Sequence, residues 1–322
     1  MSSAPDVSVI MAAWTAADFI APAIQSVLAQ DRVDLELIVV DDASGDTTVQ
    51  AALEAGGGDP RLKVERLDVN GGPSAARNRA MDLATGRYIA VVDCDDSLEP
   101  GRLSALVAFA DDTGADIVAD NMNRVDTLGA PGAEGVAFLA QAELKQPLGI
   151  SLADYLDPAT EARFGENLGY LKPLFRTQTL QRLALRYDTS LRNSEDFYLV
   201  ASLLAEGADM RLHPMLGYNY LVRPGSISHR LNPALTGAIL AANDAFAAKY
   251  SEAFDADARL AQAKRTSGLQ NMHIFECVVD ALKARRPARI LSALAHRPAA
   301  VPHVAARLAG IATAKLRGNA AP

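Results

Sequence analysis

At 322 residues, 49% hydrophobic and with a mean hydropathy of +0.05, the chain has material for one large or two modest domains with a sizeable core. A net charge of −8 argues against nucleic acid as a partner for the chain as a whole. No run of about 18 apolar residues occurs, and the N-terminus lacks a basic segment leading into an apolar one, so neither a membrane span nor a signal peptide is predicted. Two cysteines far apart, Cys94 and Cys277, suit reduced thiols in a cytoplasmic protein.

Val7 to Ala13 is apolar enough to be a central strand, and the following helix carries Phe19, Ile20, Ala23, Ile24, Val27 and Leu28 on one face, with Thr15 or Asp18 as its cap. Leu35 to Val40 is a second buried strand, ending in the acidic loop Asp41-Asp42-Ala43-Ser44-Gly45-Asp46, where Asp46 starts the next helix. Leu62 to Leu67 is a third strand. Strands alternating with helices predict a parallel, doubly wound sheet. Asn70-Gly71-Gly72-Pro73 then opens a helix that runs to Gly86 as its C-cap. Arg77 lies one turn into that helix, within reach of a phosphate or a base, or else a plain surface arginine.

Tyr88 to Val92 is a short run rich in aromatic and β-branched residues, feeding into Asp93-Cys94-Asp95-Asp96. If the strand persists, Asp93 and Asp95 share one side. Three carboxylates so close repel one another, and burial would raise their pKa values. Mg²⁺ or Mn²⁺, which prefers hard oxygen ligands and commonly binds a diphosphate, relieves that conflict. The alternative is a solvated acidic turn. A strand leading straight into the triplet favours a ligand site, since open α/β sheets bind at the carboxyl ends of their strands.

A helix over Pro100 to Thr113 and a strand over Asp116 to Asn121 follow. Ser151 to Leu156 begins a short helix, and Thr177 to Leu185 forms another. Asn193-Ser194-Glu195-Asp196 introduces a helix with Phe197, Val200, Leu203 and Leu204 inward and both acids in its first turn, where the helix dipole favours anions. After a strand at Met210 to Leu212, the stretch Tyr218 to His229 reads as a glycine-containing loop, with Arg223, Ser226, Ser228 and His229 suited to oxygen-rich ligands. Beyond Pro233 the pattern is helical: Leu235 to Tyr250, Asp257 to about Ala284, then pieces broken by Pro287, Pro298 and Pro302.

Taken together and in order, Val7–Ala13, the Asp41–Asp46 loop, Gly72-Pro73-Ser74-Ala75-Ala76-Arg77-Asn78, Asp93-Cys94-Asp95-Asp96 and Asn193-Ser194-Glu195-Asp196 resemble family 2 glycosyltransferases of the GT-A fold, over roughly residues 6 to 230. Tyr218 to Ser228 is similar to the bacterial exopolysaccharide branch, including succinoglycan-type transferases. Two positions depart from the pattern: Ala13-Trp14-Thr15 stands where Pro-x-Tyr-Asn is usual, and Cys94 replaces a small residue. Neither change removes a charged group. The resemblance implies a GT-A Rossmann-like, mostly parallel sheet flanked by helices. It implies a catalytic domain over 1–232, with a nucleotide-sugar half to about 125 and an acceptor half from 126, and a helical extension over 233–322.

It also implies roles. Ala12 and Asp41 hold the nucleotide base, Arg77 lies on base or phosphate, Asp93 faces ribose or sugar, and Arg223 joins the nucleotide-sugar contacts. Asp95 ligates Mn²⁺ or Mg²⁺, with His229 completing the metal shell or meeting the diphosphate. Asp196 is the catalytic base, with Glu195 beside it. The expected reaction is inverting transfer from a nucleotide-diphosphate sugar, UDP-linked by preference, to a glycan or polyprenyl-linked saccharide. Two alternatives stand beside it. A sugar nucleotidyltransferase would need Gly-x-Gly-x-Arg on the first turn, which here is Ala12-Ala13-Trp14-Thr15. A non-catalytic glycan-assembly subunit would have no need of Asp95, Glu195 and Asp196.

From Ala281 to Pro322 there are eight Lys or Arg and no Asp or Glu. That basic tail is expected either to lie against the anionic inner face of the membrane or to pack on the fold.

Overall fold

The computed structural model describes residues 4–126, 135–222 and 231–316. The chain divides into two compact units, Met1–Val222 and Arg223–Pro322. In the first, the elements run β1 (Val7–Ala13), α1 (Ile20–Leu28), β2 (Leu35–Asp41), α2 (Thr48–Gly56), β3 (Leu62–Arg66), α3 (Pro73–Leu83) and β4 (Tyr88–Val91). They continue with β5 (Ser97–Leu98), α4 (Arg102–Thr113), β6 (Ile117–Val125), β7 (Val136–Ala137), β8 (Leu148–Ile150), α5 (Leu152–Leu156) and α6 (Pro158–Phe164). A 3-10 turn at Leu168–Tyr170 precedes β9 (Leu174–Arg176), α7 (Thr177–Leu183), α8 (Glu195–Ala205) and β10 (Met210–Leu221).

Among the described residues one sheet of ten strands carries the unit, in the order β3-β2-β1-β4-β9-β6-β10-β5, with β7 on β6 and β8 on β10. β1 lies parallel to β2 and β4, β2 to β3, and β10 to β6. β2 is buried along its whole length, and β1 everywhere but Ala12, as their continuous Val, Ile and Leu runs require. The sheet is mostly parallel, as expected, with β5 and β8 antiparallel on β10, β7 antiparallel on β6, and one antiparallel strand inside the parallel array. β9 runs antiparallel between β4 and β6, pairing Ala90 with Leu174 and Val118 with Leu174. An antiparallel insert starts where its parallel neighbours end, so the residues before Leu174 arrive at the carboxyl edge of the sheet.

Several local readings are corrected. β10 does not stop at Leu212; it extends through Tyr218–Leu221, where a loop was expected, and absorbs Pro214 and Gly217 as register shifts against β6. Gly217 suits this position because a Cβ there would come within 2.4 Å of the Asp120 carboxylate. α3 ends at Leu83, and Gly86 is no C-cap: it lies against β1, where a Cβ would meet the Ser8 nitrogen at 2.5 Å. α1 has no side-chain cap, and the Thr15 amide instead donates to the Ser44 hydroxyl at 2.8 Å.

The second unit comprises α9 (Pro233–Lys249), α10 (Ala256–Lys283), α11 (Pro287–His296), a 3-10 turn at Pro298–Ala300 and α12 (Val301–Leu316). Its core gathers Ile274, Phe275 and Val278 of α10 with Ala300 and Val304, and Ile290, Leu294 and Leu308 pack on that cluster. The part of the basic tail from Ile290 to Leu308 thus packs within this unit, while Leu282, Leu291, Val301 and Ile311 stay exposed.

Candidate active site

Three chain segments meet at the carboxyl edge of β4. The strand ends at Val91 and the acidic triplet forms a turn, closed by the Asp96 amide donating to the Asp93 carbonyl at 3.2 Å, so the strand alternation does not reach Asp95. Carboxylate oxygens of Asp93, Asp95 and Asp96 nevertheless lie within 4.8 Å of one another. α8 brings Glu195 and Asp196 in its first turn, behind Ser194 in the left-handed region at φ 66°. α3 brings Arg77, and the residues before β9 bring Lys172.

Arg77 is only 4% exposed. Its guanidinium donates to Glu195 Oε1 at 2.6 Å and Asp93 Oδ1 at 2.7 Å, lies 3.3 Å from Asp196 Oδ1, and sits over the Tyr187 ring at 5.3 Å. The Lys172 ammonium is 2.9 Å from both Asp93 Oδ2 and Asp196 Oδ2. Two cations therefore serve three carboxylates, nearly out of solvent. Burial alone would raise the Asp93 pKa, but Lys172 and Arg77 outweigh it and hold that carboxyl below its usual range. Burial would likewise discharge Lys172, yet Asp196 and Asp93 keep it charged well beyond neutrality.

Asp96, two positions further round the turn from Cys94, shows the opposite balance. It is buried, with Oδ2 accepting from the Tyr218 hydroxyl at 2.7 Å and Oδ1 from the Leu221 amide at 2.9 Å. Burial first, then the charges of Asp95 and Asp93, push its pKa well above the ordinary value. A group of hard oxygen donors that crowds in this way is a fitting cradle for Mg²⁺ or Mn²⁺. His229 and Arg223, the other expected contributors, lie outside the described residues.

A second acidic cluster caps β2. Asp41 is 1% exposed; its Oδ2 accepts from the Ser44 amide at 3.1 Å and lies 3.4 Å from Arg66, while its Oδ1 is buried with no hydrogen-bond partner. Asp42 accepts from the amides of Gly71 and Gly72, each at 2.7 Å, and so shapes the loop that opens α3. Gly72, at φ 86°, takes a backbone shape closed to most side chains, and a Cβ there would strike Arg192. Ala12, on β1 opposite Val40, and Trp14, 55% exposed just past that strand, lie at the same edge.

The profile described as Glycosyl transferase family 2 matches residues 8–154. The succinoglycan biosynthesis protein ExoO of Rhizobium meliloti (strain 1021) is 38% identical over 96% of this chain and 87% of its own length. The chain belongs to glycosyltransferase family 2. Two solved structures with low sequence identity share its GT-A fold. Staphylococcus aureus TarS 1–349 in complex with UDP-GlcNAc aligns with a TM-score of 0.60 at 19% identity, over 89% of this chain and 90% of that one. The mannosyltransferase PcManGT of Pyrobaculum calidifontis, in complex with GDP-Man and Mn²⁺, aligns at 0.59 and 18%, over 97% and 81%.

Within this glycosyltransferase the fold gathers Arg77, Asp93, Glu195 and Asp196 into one cluster, with Asp95 in the adjoining turn. Asp41 and Ala12 stand at the ends of β2 and β1 instead. The expectation for Arg77 was a contact with base or phosphate; its guanidinium is enclosed by Asp93, Glu195, Asp196 and Tyr187. Sequence reading missed Lys172 and Tyr187. The antiparallel placement of β9, which delivers Lys172, has no signature in three residues, and a lysine before Pro173 reads as an ordinary surface residue. Asp42 was visible as part of the acidic loop, but not its task of holding Gly71 and Gly72.

Proposed function

We propose that this glycosyltransferase performs metal-dependent, inverting sugar transfer from a nucleotide-diphosphate sugar, UDP-linked by preference, to a glycan or lipid-linked saccharide of a bacterial surface or exopolysaccharide. The observation that carries the reading is the convergence of Asp93, Glu195 and Asp196 around two buried cations, with the carboxylates of Asp95 and Asp96 in the adjoining turn. In this reading Ala12, Asp41 and the Gly71–Gly72 loop receive the nucleoside, with Arg223 a further contact. Asp93 faces the ribose or sugar, and Asp95, aided by Asp96 and His229, holds Mn²⁺ or Mg²⁺. The ion supplies charge stabilisation for the departing diphosphate.

The chain's own residues do the rest. An acceptor hydroxyl attacks the anomeric carbon from the face opposite the diphosphate, which leaves with its electron pair. Asp196 takes the hydroxyl proton, a contribution typically worth about 10²–10⁴-fold. One displacement inverts the anomeric centre. Arg77, enclosed among carboxylates, acts on the ligands through the groups it orients. Support for the acceptor class comes from the ExoO likeness; support for a UDP-sugar comes from the ligand in the TarS complex.

A thermal-shift screen of UDP- and GDP-sugars, with and without Mn²⁺, tests the reading. A ligand at 100 times Kd stabilises the native state by about 2.7 kcal/mol, so a true donor stands out. No shift with any sugar nucleotide in the presence of Mn²⁺ would sink it.

The proposal includes reversible contact with the anionic inner surface of the membrane. Arg285, Arg286 and Arg289 are exposed near exposed Leu282 and Leu291, and basic residues at such a surface are worth about 1 kcal/mol each. Reversing all three arginines to Glu should abolish flotation with phosphatidylglycerol vesicles at low salt. Equal flotation removes the membrane from the reading. No helix among the described residues is long and apolar enough to cross a bilayer.

A further inference from the structure

Lys172 and Arg77 both contact the donor-side carboxylate Asp93 and the carboxylate read as the base, but only Lys172 is within 3 Å of each. Its backbone is fixed from two directions. The fully buried Arg102, paired with Asp120, donates through Nη2 to the Lys172 carbonyl at 2.7 Å. The Val91 amide, at the end of β4, donates to the next carbonyl, that of Pro173, at 3.3 Å. Anchored so, a side chain 6% exposed delivers its ammonium to Asp93 Oδ2 and Asp196 Oδ2, each at 2.9 Å.

The two oxygens of Asp196 are therefore unlike. Oδ2 accepts from Lys172, whereas Oδ1 is buried, makes no hydrogen bond and has the Arg77 guanidinium 3.3 Å away. A buried acceptor without a donor is costly to keep, and it is also the natural place for an incoming O–H. Rotation of the carboxylate would exchange the two oxygens; the ammonium on Oδ2, with the Arg77 guanidinium near Oδ1, opposes it.

We propose that Lys172 is a positioning residue for the proton transfer: it holds Asp196 by Oδ2, so that Oδ1 receives the proton of the acceptor hydroxyl. In that step the acceptor O–H bond breaks and an Oδ1–H bond forms. The acceptor oxygen bonds to the anomeric carbon, and the bond from that carbon to the diphosphate oxygen breaks with its electron pair. The same ammonium ties the base to Asp93, so donor-side and acceptor-side carboxylates keep one spacing. This rests on the transferase reading with Asp196 as base.

The test is a double-mutant cycle on Lys172→Met and Asp196→Asn, read as hydrolysis of whichever UDP- or GDP-sugar the wild-type protein cleaves fastest with Mn²⁺. A misplaced base costs on the order of 10²-fold, so Lys172→Met should lower kcat by about that factor while leaving the donor KM within about threefold. In the Asp196→Asn background the same substitution should cost less than about threefold, because there is no base left to position. A purely structural role would cost the same factor in both backgrounds and overturns the inference; so does a rise in donor KM with kcat intact. Lys172→Arg keeps the charge and covers a failure of the methionine variant to fold. It should lose about tenfold in kcat alone, again only while Asp196 is present. If Asp196→Asn hydrolyses the donor normally, the base assignment falls and this inference with it. An impaired Asp196→Asn with an additive cycle removes only Lys172.

Discussion

The ends of β2 and β4 carry acidic clusters of similar composition that the molecule treats in opposite ways. At the end of β2, Asp42 is answered by backbone, the amides of Gly71 and Gly72, and Asp41 by the Ser44 amide with Arg66 at longer range. At the end of β4, Asp93 is answered by side-chain cations, Arg77 and Lys172, that also serve the carboxylates of α8. Backbone donors make a rigid cradle with no net charge of their own. Shared cations make a charged centre in which altering one member disturbs all the others. The first arrangement suits receiving a ligand, and the second suits moving a proton.

The largest expected effect breaks the charged centre at Asp196, the proposed base. Asp196→Asn keeps the shape but cannot take a proton, and turnover should fall by about 10²–10⁴-fold with donor affinity nearly unchanged. Steady-state kinetics with radiolabelled sugar nucleotide measures both. Near-normal turnover would move the base elsewhere, with Glu195 next in line. Asp95→Ala should come second: donor binding loses its Mn²⁺ dependence. The metal-free protein melts no lower than wild type, because a charge that raises the Asp96 pKa has gone. Calorimetry with and without Mn²⁺ decides, and unchanged Mn²⁺ dependence would reassign the ligand.

The backbone cradle should fail differently. Asp42→Ala leaves two inward amides without their acceptor, and hydrogen bonds to a charged group are worth about 1.5–3 kcal/mol each. A melting temperature lowered by about 6–24 °C, with the metal response intact, is expected for a unit of this size. An undisturbed melt would mean that Gly71 and Gly72 hold their turn without Asp42.

The same contrast explains what could be read from the chain. β1 and β2 are legible because continuous apolar runs mark central strands, and the Asp42 cradle was at least locatable because a loop and a glycine pair announce themselves locally. The charged centre was only half legible. Its carboxylates stand out at strand and helix ends, but the partner of Arg77 is Glu195, 118 residues away, and Lys172 arrives through a three-residue antiparallel strand. The far end of β10 was misread for a related reason. Pro214 and Gly217 look like punctuation, and only the neighbouring β6 shows that the strand passes through them.

The smallest effect concerns a third carboxylate, Glu36 at 6% exposure, which combines both modes of compensation. It accepts from the Ser8 hydroxyl at 2.6 Å, from the Thr85 amide at 2.7 Å and hydroxyl at 2.8 Å, and from Lys63 at 2.6 Å. Burial works to raise its pKa, but Lys63, Ser8 and Thr85 together outweigh burial and set it below the ordinary 4.5. The folded state therefore binds this proton less readily than the unfolded chain does. The stabilisation is complete above about pH 5 and is lost as the pH falls through the folded value, because only then is the carboxylate protonated in both states. Glu36→Gln removes the titration while keeping the size. The stability gap between wild type and variant, from denaturant melts at pH 4 to 7, should be constant near neutrality and shrink toward pH 4. A gap that widens on acidification would mean that Glu36 is carried as the neutral acid, leaving Lys63 without a charged partner.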